Sequence, residues 1–435
     1  MVDYLKYYSR KDVQAKILEL SEDREVAAQF NQGFGKRPDI FQFPGDIMEM
    51  ARKGATSFHV SEERWGEPLD LVPGMTKRSL DDNRKGWDLI LDIDTIYWDY
   101  AKWTAYYLIE ALKFHDIKSI SVKFSGSKGF HIGVPFEAFP DEVNGVKTKD
   151  LFPESLRVIA TYLQEMIRDM LVAKILEKTN IQDLVSFTGK PENELTKEGK
   201  LDPFVLIDID TVLISNRHLF RSAYSLHEKT GLVSLPIDFD HVLKFDKNKA
   251  DAEKAKAERG FLVRDTVEKN EGSRLIIQAF DWYSKQKVRK GPQEERKVED
   301  FKLPKNAIAE EFFPFCVTKI LEGKMEDGKK RALFILVNFL KRMGWKWSDI
   351  TQRIKEWNAK NPEPLKEAYI QGQLTWHGKR KDAILPPNCS NHTYYKDLRI
   401  CCNNHVCLRY KNPVNFAMKN SKKKKVKKKK VKVKK

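Results

Sequence analysis

The chain has 435 residues, of which 41% are hydrophobic and 11% aromatic, and its formal net charge is +17. This length predicts two or three globular domains. No apolar run is long enough to span a bilayer, and the first residues lack the apolar core of a signal peptide. We therefore expect a cytoplasmic protein with no membrane partner, and the composition argues against the membrane-spanning and secreted classes.

Charge and cysteine are both concentrated near the end of the chain. Residues 421–435 contain eleven lysines, so the remainder carries only about +6. A like-charge block of this kind repels itself and has nothing to bury, which predicts a disordered tail that binds nucleic acid or simply aids solubility. None of the five cysteines precedes Cys316, and four lie between 389 and 407. In a cytoplasmic chain this clustering favours a metal site over disulfides.

The elements predicted in the first half alternate irregularly between helix and strand. Helical periodicity covers residues 10–30, 100–115 and 154–179, and strand patterns cover 87–94, 119–124, 130–136 and 204–214, with a polar loop at 186–203. This order predicts an α+β fold with a mixed sheet and argues against a doubly wound parallel sheet.

The second half changes character after a highly charged stretch that contains Gly291 and Pro292. Helices are predicted at 316–323, 328–343 and 347–359, followed by the cysteine-bearing segments. We predict four regions: a domain at 1–284, a linker at 285–303, a small, mainly helical domain at 304–418 and the lysine-rich tail at 419–435.

Two carboxylates lie two residues apart in the apolar strand at 87–94. Strand geometry puts Asp92 and Asp94 on one face. Side by side they repel each other and lose hydration, and the hard oxygen ligands suit Mg²⁺ or Mn²⁺. Paired metals of this type serve phosphoryl transfer. The alternative is a strand end at which both carboxylates reach water.

Two further segments add to this pattern. The turn from Ser125 to His131 offers glycines that let the backbone approach an anion, and Lys128 adds a cation to the hydroxyl and the imidazole. The second segment places Asp208 and Asp210 on one face of a strand. A basic stretch containing Arg221 and His227 follows it; we expect its Arg and His side chains to face phosphate.

These three segments resemble the motifs of the small subunit of archaeo-eukaryotic DNA primases: a D-x-D strand, an S-G-x-x-G-x-H turn, and an aspartate before S-x-H-x-K-T-G. The resemblance implies a primase-polymerase catalytic domain in which Asp92, Asp94 and Asp210 hold two Mg²⁺ or Mn²⁺ ions, with Asp208 as the alternative third ligand. It implies a nucleotide site formed by Arg37, Ser125, Lys128, His131, Arg221 and His227. The zinc knuckle that many members carry between the second and third motifs is not expected, because that region has no cysteine.

The cysteine region resembles the iron–sulfur domain of the primase large subunit. That resemblance implies a 4Fe–4S cluster bound by Cys316, Cys389, Cys401 and Cys407, although Cys402 can exchange roles with Cys401. The residues alone favour a zinc site that uses His392 or His405 with the cysteines.

Both resemblances together imply a primase in one chain, which would make short primers on single-stranded DNA from nucleoside triphosphates, with replication proteins as partners and an archaeal source. One alternative is a primase-polymerase that extends existing ends in repair or plasmid replication. The other is a non-catalytic nucleic-acid-binding or redox-sensing protein. The sequence argues against this last class, since every motif position is chemically competent.

Overall fold

The chain folds as two compact units, Met1–Gln293 and Glu294–Lys435, in the computed structural model. The structure describes residues 3–31, 33–72, 74–210, 214–289, 304, 306–325, 328–379, 384–396, 398–401 and 407–432. The predicted linker at 285–303 overlaps the end of a helix, and its residues 290–303 lie outside the described residues. Within the described ranges, no helix combines the length and the apolar character needed to cross a membrane.

The first unit mixes helices with short strands. Its helices are α1 Tyr4–Tyr8, α2 Lys11–Ser21, α3 Pro44–Arg52, α4 Lys77–Asn83, α5 Trp98–Phe114, α6 Glu154–Leu176, α7 Ile181–Thr188, α8 Glu192–Leu195 and α9 Ser273–Arg289. Its strands are β1 Val26–Phe30, β2 Gly33–Phe34, β3 Ser57–Ser61, β4 Glu63–Trp65, β5 Arg84–Trp87, β6 Leu89–Asp94, β7 Ser121–Phe124, β8 Phe130–Val134, β9 Glu142–Val143, β10 Val146–Lys147, β11 Thr196–Lys197, β12 Lys200–Leu201, β13 Asp208–Ile209, β14 Leu219–Arg221 and β15 Pro236–Ile237.

Two antiparallel sheets organise this unit. The larger has the strand order β13-β6-β8-β7-β15, and the smaller has the order β14-β3-β1-β2. The prediction of a mixed sheet was wrong for the described strands, because every pairing among them is antiparallel. Strands β6 and β7 run in the same direction, but β8 folds back through a tight turn and lies between them.

The apolar face of β6 anchors the larger sheet. Leu89, Leu91 and Ile93 are fully buried, while Asp92 and Asp94 alternate with them on the other face, as predicted. Helices α5 and α6 pack on each other and contact β6. Burial of each large aliphatic side chain contributes about 1.5–3 kcal/mol, so the register of β6 is strongly fixed.

The second unit is helical in its described residues. It contains α10 Phe315–Leu321, α11 Lys329–Arg342, α12 Trp347–Ala359, α13 Glu367–Lys379, α14 His392–Tyr395 and α15 Pro413–Lys432. Leu336 and Leu340 of α11 and Ile354 and Trp357 of α12 are fully buried in one apolar core. The three helices predicted from periodicity correspond to α10, α11 and α12.

Three expectations differ from the structure. The helix predicted over 10–30 ends at Ser21, because Asp23 adopts a positive φ of 59° and residues 26–30 then pair with β3 as a strand. The strand predicted over 204–214 is reduced to Asp208–Ile209, since Pro203 opens a short 3₁₀ helix capped by Asp202. Residues 211–213 lie outside the described residues.

The third difference concerns the lysine-rich tail. Helix α15 continues through Lys432, where disorder was predicted from residue 419. Lysine itself favours helix, so the backbone continues the turn that Pro413 opens.

Candidate functional site

A single row of polar side chains crosses the larger sheet. His131 of β8 pairs in register with Asp92 of β6 on one side and with Lys123 of β7 on the other. Beyond β13, the backbone N–H of Asp210 donates to the Asp92 carbonyl at 3.1 Å. Directly opposed residues of neighbouring strands share a face. Asp210, Asp92, His131 and Lys123 therefore lie side by side.

The acidic end of this row carries more negative charge than the protein compensates. Asp94 pairs in register with Asp208, and this pair lies two residues along the strands from Asp92 and Asp210, on the same face of the sheet. Desolvation raises the pKa of Asp92 to about 7, Asp94 and Asp210 add to this rise, and Lys123 opposes it. Desolvation, together with Asp210 and Asp94, also raises the pKa of Asp208. Four carboxylates in this arrangement attract cations.

His131 is held between the acidic and basic ends of the row. Its Nε2 lies 3.3 Å from Asp92 Oδ1, and its Nδ1 lies 3.0 Å from Lys123 Nζ. Lys123 is fully buried, and its ammonium also donates to Ser234 Oγ at 2.9 Å. Burial and the charge of Lys123 hold the pKa of His131 well below its ordinary value, which keeps the imidazole neutral.

The turn after β7 closes against the acidic strand. Gly126 has a φ of +100°, and a Cβ on Gly129 would lie 1.6 Å from the Ile93 carbonyl oxygen, so only glycine fits there. The Gly129 N–H donates to Ser125 Oγ at 3.3 Å, and Thr230 Oγ1 donates to the Gly126 carbonyl at 2.6 Å. The turn is thereby fixed between the end of β6 and the segment that carries His227.

Strands β3 and β14 form the opposite wall. Arg221 pairs in register with His59, and its guanidinium donates to the Leu226 carbonyl at 3.0 Å and to Glu228 at 2.7 Å. Desolvation and Arg221 lower the pKa of His227 and hold the pKa of His59 well below its ordinary value. Arg221 is thus the positive group of this wall, and the two histidines contribute neutral imidazoles.

One cleft of about 330 Å³ brings these groups together. Its lining consists of His59, Asp92, Ile93, Asp94, Ser125, Ser127, Lys128, His131, Leu219, Phe220, Arg221, His227 and Lys229. Seven of the predicted site residues are in that set, and Asp208 and Asp210 lie beside β6. Arg37 is not among them: it donates to Glu25 at 2.8 Å and to the Arg217 carbonyl at 2.7 Å.

Sequence reasoning missed three residues of this site. His59 lines the cleft from β3, Lys123 supports His131, and His218 lies 3.8 Å from Asp210 Oδ2 while it contacts Glu62 at 2.9 Å. Lys123 carried a usable signal, because it occupies the polar position of an alternating strand directly before the glycine turn. His59 had none, because only the pairing of β3 with β14 places it there.

The second unit gathers the four predicted cysteine ligands around one cavity of about 490 Å³. Cys316, Cys389, Cys401 and Cys407 all line it, and none of these four is in a disulfide. Burial raises the pKa of Cys316, and the neighbouring cysteines add to this effect. Cys402 and His405 lie outside the described residues, as does the side chain of His392.

Neither polar cluster closes around a single point. Among the residues that the structure describes, no three His, Cys, Asp or Glu side chains are arranged to hold one metal ion. The carboxylate oxygens nonetheless suit Mg²⁺ or Mn²⁺, and the four thiols suit a larger sulfur-ligated group.

Sequence comparison identifies relatives of the first unit. Residues 84–239 match the DNA primase small subunit family. The chain is 30% identical over 188 residues to the DNA primase small subunit PriS of Pyrobaculum aerophilum, which covers 38% of this chain and 57% of the relative. The chain is also 26% identical over 317 residues to the same subunit of Pyrobaculum islandicum, which covers 64% of this chain and 93% of that relative. The chain thus spans little more than half the length of the first relative.

Among solved structures, the chain is similar to the polymerase domain of Ligase D from Mycobacterium tuberculosis, determined in complex with DNA. That similarity covers 57% of this chain and 89% of the other, with 17% identity and a TM-score of 0.33. All three sequence motifs fall inside the family match, whereas Arg37 and the cysteines fall outside it. Residues 84–239 are therefore similar to the DNA primase small subunit family.

Proposed function

We propose that this chain is a DNA primase that joins nucleoside triphosphates into a short primer on a single-stranded DNA template. One observation carries the proposal: the carboxylates of β6 and the cationic residues of the glycine turn and β14 line the same cleft. A nucleotidyl transfer needs both, because a cation site must lie beside the triphosphate that it activates.

The acidic residues supply the metal-binding half of this chemistry. Asp92, Asp94 and Asp210 would hold two Mg²⁺ or Mn²⁺ ions, which lower the barrier to attack by a 3′-hydroxyl and stabilise the pyrophosphate that leaves. Asp210 is the preferred third ligand, because its backbone N–H bonds to the Asp92 carbonyl and its charge contributes to the raised pKa of Asp92.

The basic residues bind and orient the triphosphate. Lys128 and Arg221 contribute permanent positive charge, and neutral His131 and His227 contribute hydrogen bonds. Ser125 lies at the start of the turn whose backbone approaches the anion. Arg37 has a supporting role instead, since it is bound to Glu25 outside the cleft.

The test is incorporation of labelled nucleotide on an unprimed single-stranded template with Mg²⁺ or Mn²⁺. Replacing both Asp92 and Asp94 by alanine should abolish incorporation, while the matched pair Asp169→Ala and Asp281→Ala, two exposed aspartates of α6 and α9, should retain it. Full activity of the first double variant would refute the proposal. Activity on primed templates alone would assign the chain to extension of existing ends.

We propose further that the second unit binds a 4Fe–4S cluster through Cys316, Cys389, Cys401 and Cys407. The four thiols line one cavity of about 490 Å³. Four cysteine thiolates are the usual ligands of such a cluster. If the cluster is present, anaerobically purified protein should contain about four iron atoms per chain and no zinc. Stoichiometric zinc instead would overturn it.

A further inference from the structure

Two larger cavities lie in the first unit beyond the candidate cleft. A cavity of about 1400 Å³ shares Lys229 with the cleft. A second cavity of about 790 Å³ shares Lys254 and Lys256 with the first. The shared residues thus link the cleft to the first cavity and the first cavity to the second. Lys6, Arg10 and His241 are among the basic residues that line the two cavities. The other basic side chains there, here called the basic track, are Lys229, Lys244, Lys249, Lys254, Lys256 and Arg259.

The backbone of the track is fixed to the candidate site. Leu226 and Val233 form a β-bridge on either side of the turn that carries His227, and the Val233 N–H donates to the Ala250 carbonyl at 2.8 Å. Two of the lysines, Lys244 and Lys249, lie on two 3₁₀ helices, Phe239–Lys244 and Lys247–Ala250, whose first turns are capped by aspartate side chains. These two positive charges are thus presented by ordered turns.

Most of these charges are not used within the protein. Lys229, Lys244, Lys249 and Lys254 are exposed, and none has an ion pair within 4 Å or a side-chain hydrogen bond to a described residue. Some other exposed lysines of this unit are paired, as Lys118 is with Glu268 at 2.7 Å.

The track also contains acidic groups, but part of that charge is already engaged. Glu228 is bound to Arg221 at 2.7 Å, and Asp238 is bound to Arg259 at 3.2 Å. Asp251 uses its carboxylate to accept from the Glu253 N–H at 2.9 Å, and Asp3, Glu253 and Glu258 also line the two cavities. The exposed lysines without an ion pair form a row that suits a polyanion whose phosphates are repeated at short intervals.

We propose that the basic track binds the phosphates of the single-stranded template that has yet to be copied, a proposal that rests on the proposed function. In the proposed reaction the 3′-hydroxyl attacks the triphosphate from the side of the carboxylates, so the primer duplex lies on the carboxylate side of the cleft. The basic track begins at Lys229, on the opposite side, where the triphosphate is bound. The nucleic acid that continues in that direction is the part of the template beyond the incoming nucleotide, which is still unpaired.

The experiment measures binding of primer–template DNA whose 5′ template overhang is either one or twelve nucleotides long, across a range of salt concentrations. The wild-type chain should bind the long overhang more tightly. The triple variant Lys244→Gln, Lys249→Gln and Lys254→Gln should lose at least about tenfold of that gain, and its salt slope on the long overhang should fall by about 2, since each single-strand phosphate contact contributes about 0.7.

The matched control is Lys178→Gln, Lys197→Gln and Lys200→Gln, which removes three exposed lysines away from the track. It should keep the wild-type gain and salt slope. A track variant with the wild-type gain would overturn the proposal, and so would an equal loss in the control. Failure of the proposed function is distinguishable, because it appears as no nucleotide incorporation by the wild-type chain on either substrate.

Discussion

Two aspartates near the two ends of strand β6 have opposite electrostatic surroundings. Asp88, just before the strand, is fully buried between Arg24 and Arg264 and accepts the Phe136 N–H at 2.8 Å. Burial alone would raise its pKa, but the two arginines lower the pKa to about 2. Asp92, four residues on, has its pKa raised to about 7. The protein neutralises the first carboxylate itself but not the second, so charge compensation separates a structural aspartate from a candidate metal ligand.

The largest effect is expected at the structural end. Asp88→Asn should lower the free energy of unfolding by about 3–5 kcal/mol, because it leaves Arg24 buried without its carboxylate. Asp92→Asn makes the same chemical change four residues later and removes repulsion with Asp94 and Asp210, so it should not lower that free energy. Urea unfolding in mildly alkaline, metal-free buffer measures both. Equal losses in the two variants would contradict the comparison.

The functional end can be divided further, between Asp208 and Asp210. We expect Asp210→Asn to reduce the rate of nucleotide incorporation about a hundredfold to a thousandfold, the usual cost of removing a group that stabilises transition-state charge. Asp208→Asn should cost less than about tenfold, because Asp208 faces Asp94 at the open edge of the sheet. Single-turnover incorporation rates at saturating metal give the answer. The reverse order would move the third ligand to Asp208.

Much of this site could be predicted from the alternation of residues between the two faces of a strand, which is visible in the sequence. Alternation placed Asp92 and Asp94 on the face opposite Leu91, and the glycine spacing located the turn at 125–129. Register is what sequence could not supply. It places His59 opposite Arg221 and Lys123 beside His131, and it depends on long-range pairing between strands far apart in the chain. Arg37 was misplaced for a related reason: it bonds to Glu25, just before β1, and to the carbonyl of Arg217, which is distant in the chain.

The cysteine region was accessible to sequence in a different way. Four thiols were expected to converge, and Cys316 does line one cavity with the three that follow. No periodicity indicates this, because irregular segments and 3₁₀ turns carry Cys389, Cys401 and Cys407. The family resemblance alone brought them together, and the choice between Cys401 and Cys402 stays a prediction.

The smallest expected effect is a dependence of the free energy of unfolding on pH that arises from the titration of Asp92. Its folded-state pKa is raised from 3.8 to about 7, so the stability gained from its protonated form is present below about pH 4 and is lost as pH rises through 7. Relative to wild type, Asp92→Asn should therefore become more stable across this window. The change should be on the order of 1 kcal/mol, since a side chain that is 46% exposed is screened by solvent.

Asp88→Asn provides a control of opposite sign. The pKa of Asp88 is lowered to about 2, so its contribution is complete above about pH 4 and disappears only as pH falls through 2. The difference between this variant and wild type should then stay constant between pH 4 and 8. Desolvation raises the pKa of the buried Glu63 to about 7, although Arg84 opposes this rise. Glu63 is present in all three proteins, so its contribution cancels in the differences.

Saturating Mg²⁺ should abolish the Asp92 effect, because a bound cation stabilises the charged carboxylate and so offsets the desolvation and the repulsion that raise its pKa. A pH-independent difference for Asp92→Asn in metal-free buffer would mean that the acidic end of β6 is as well compensated as its beginning.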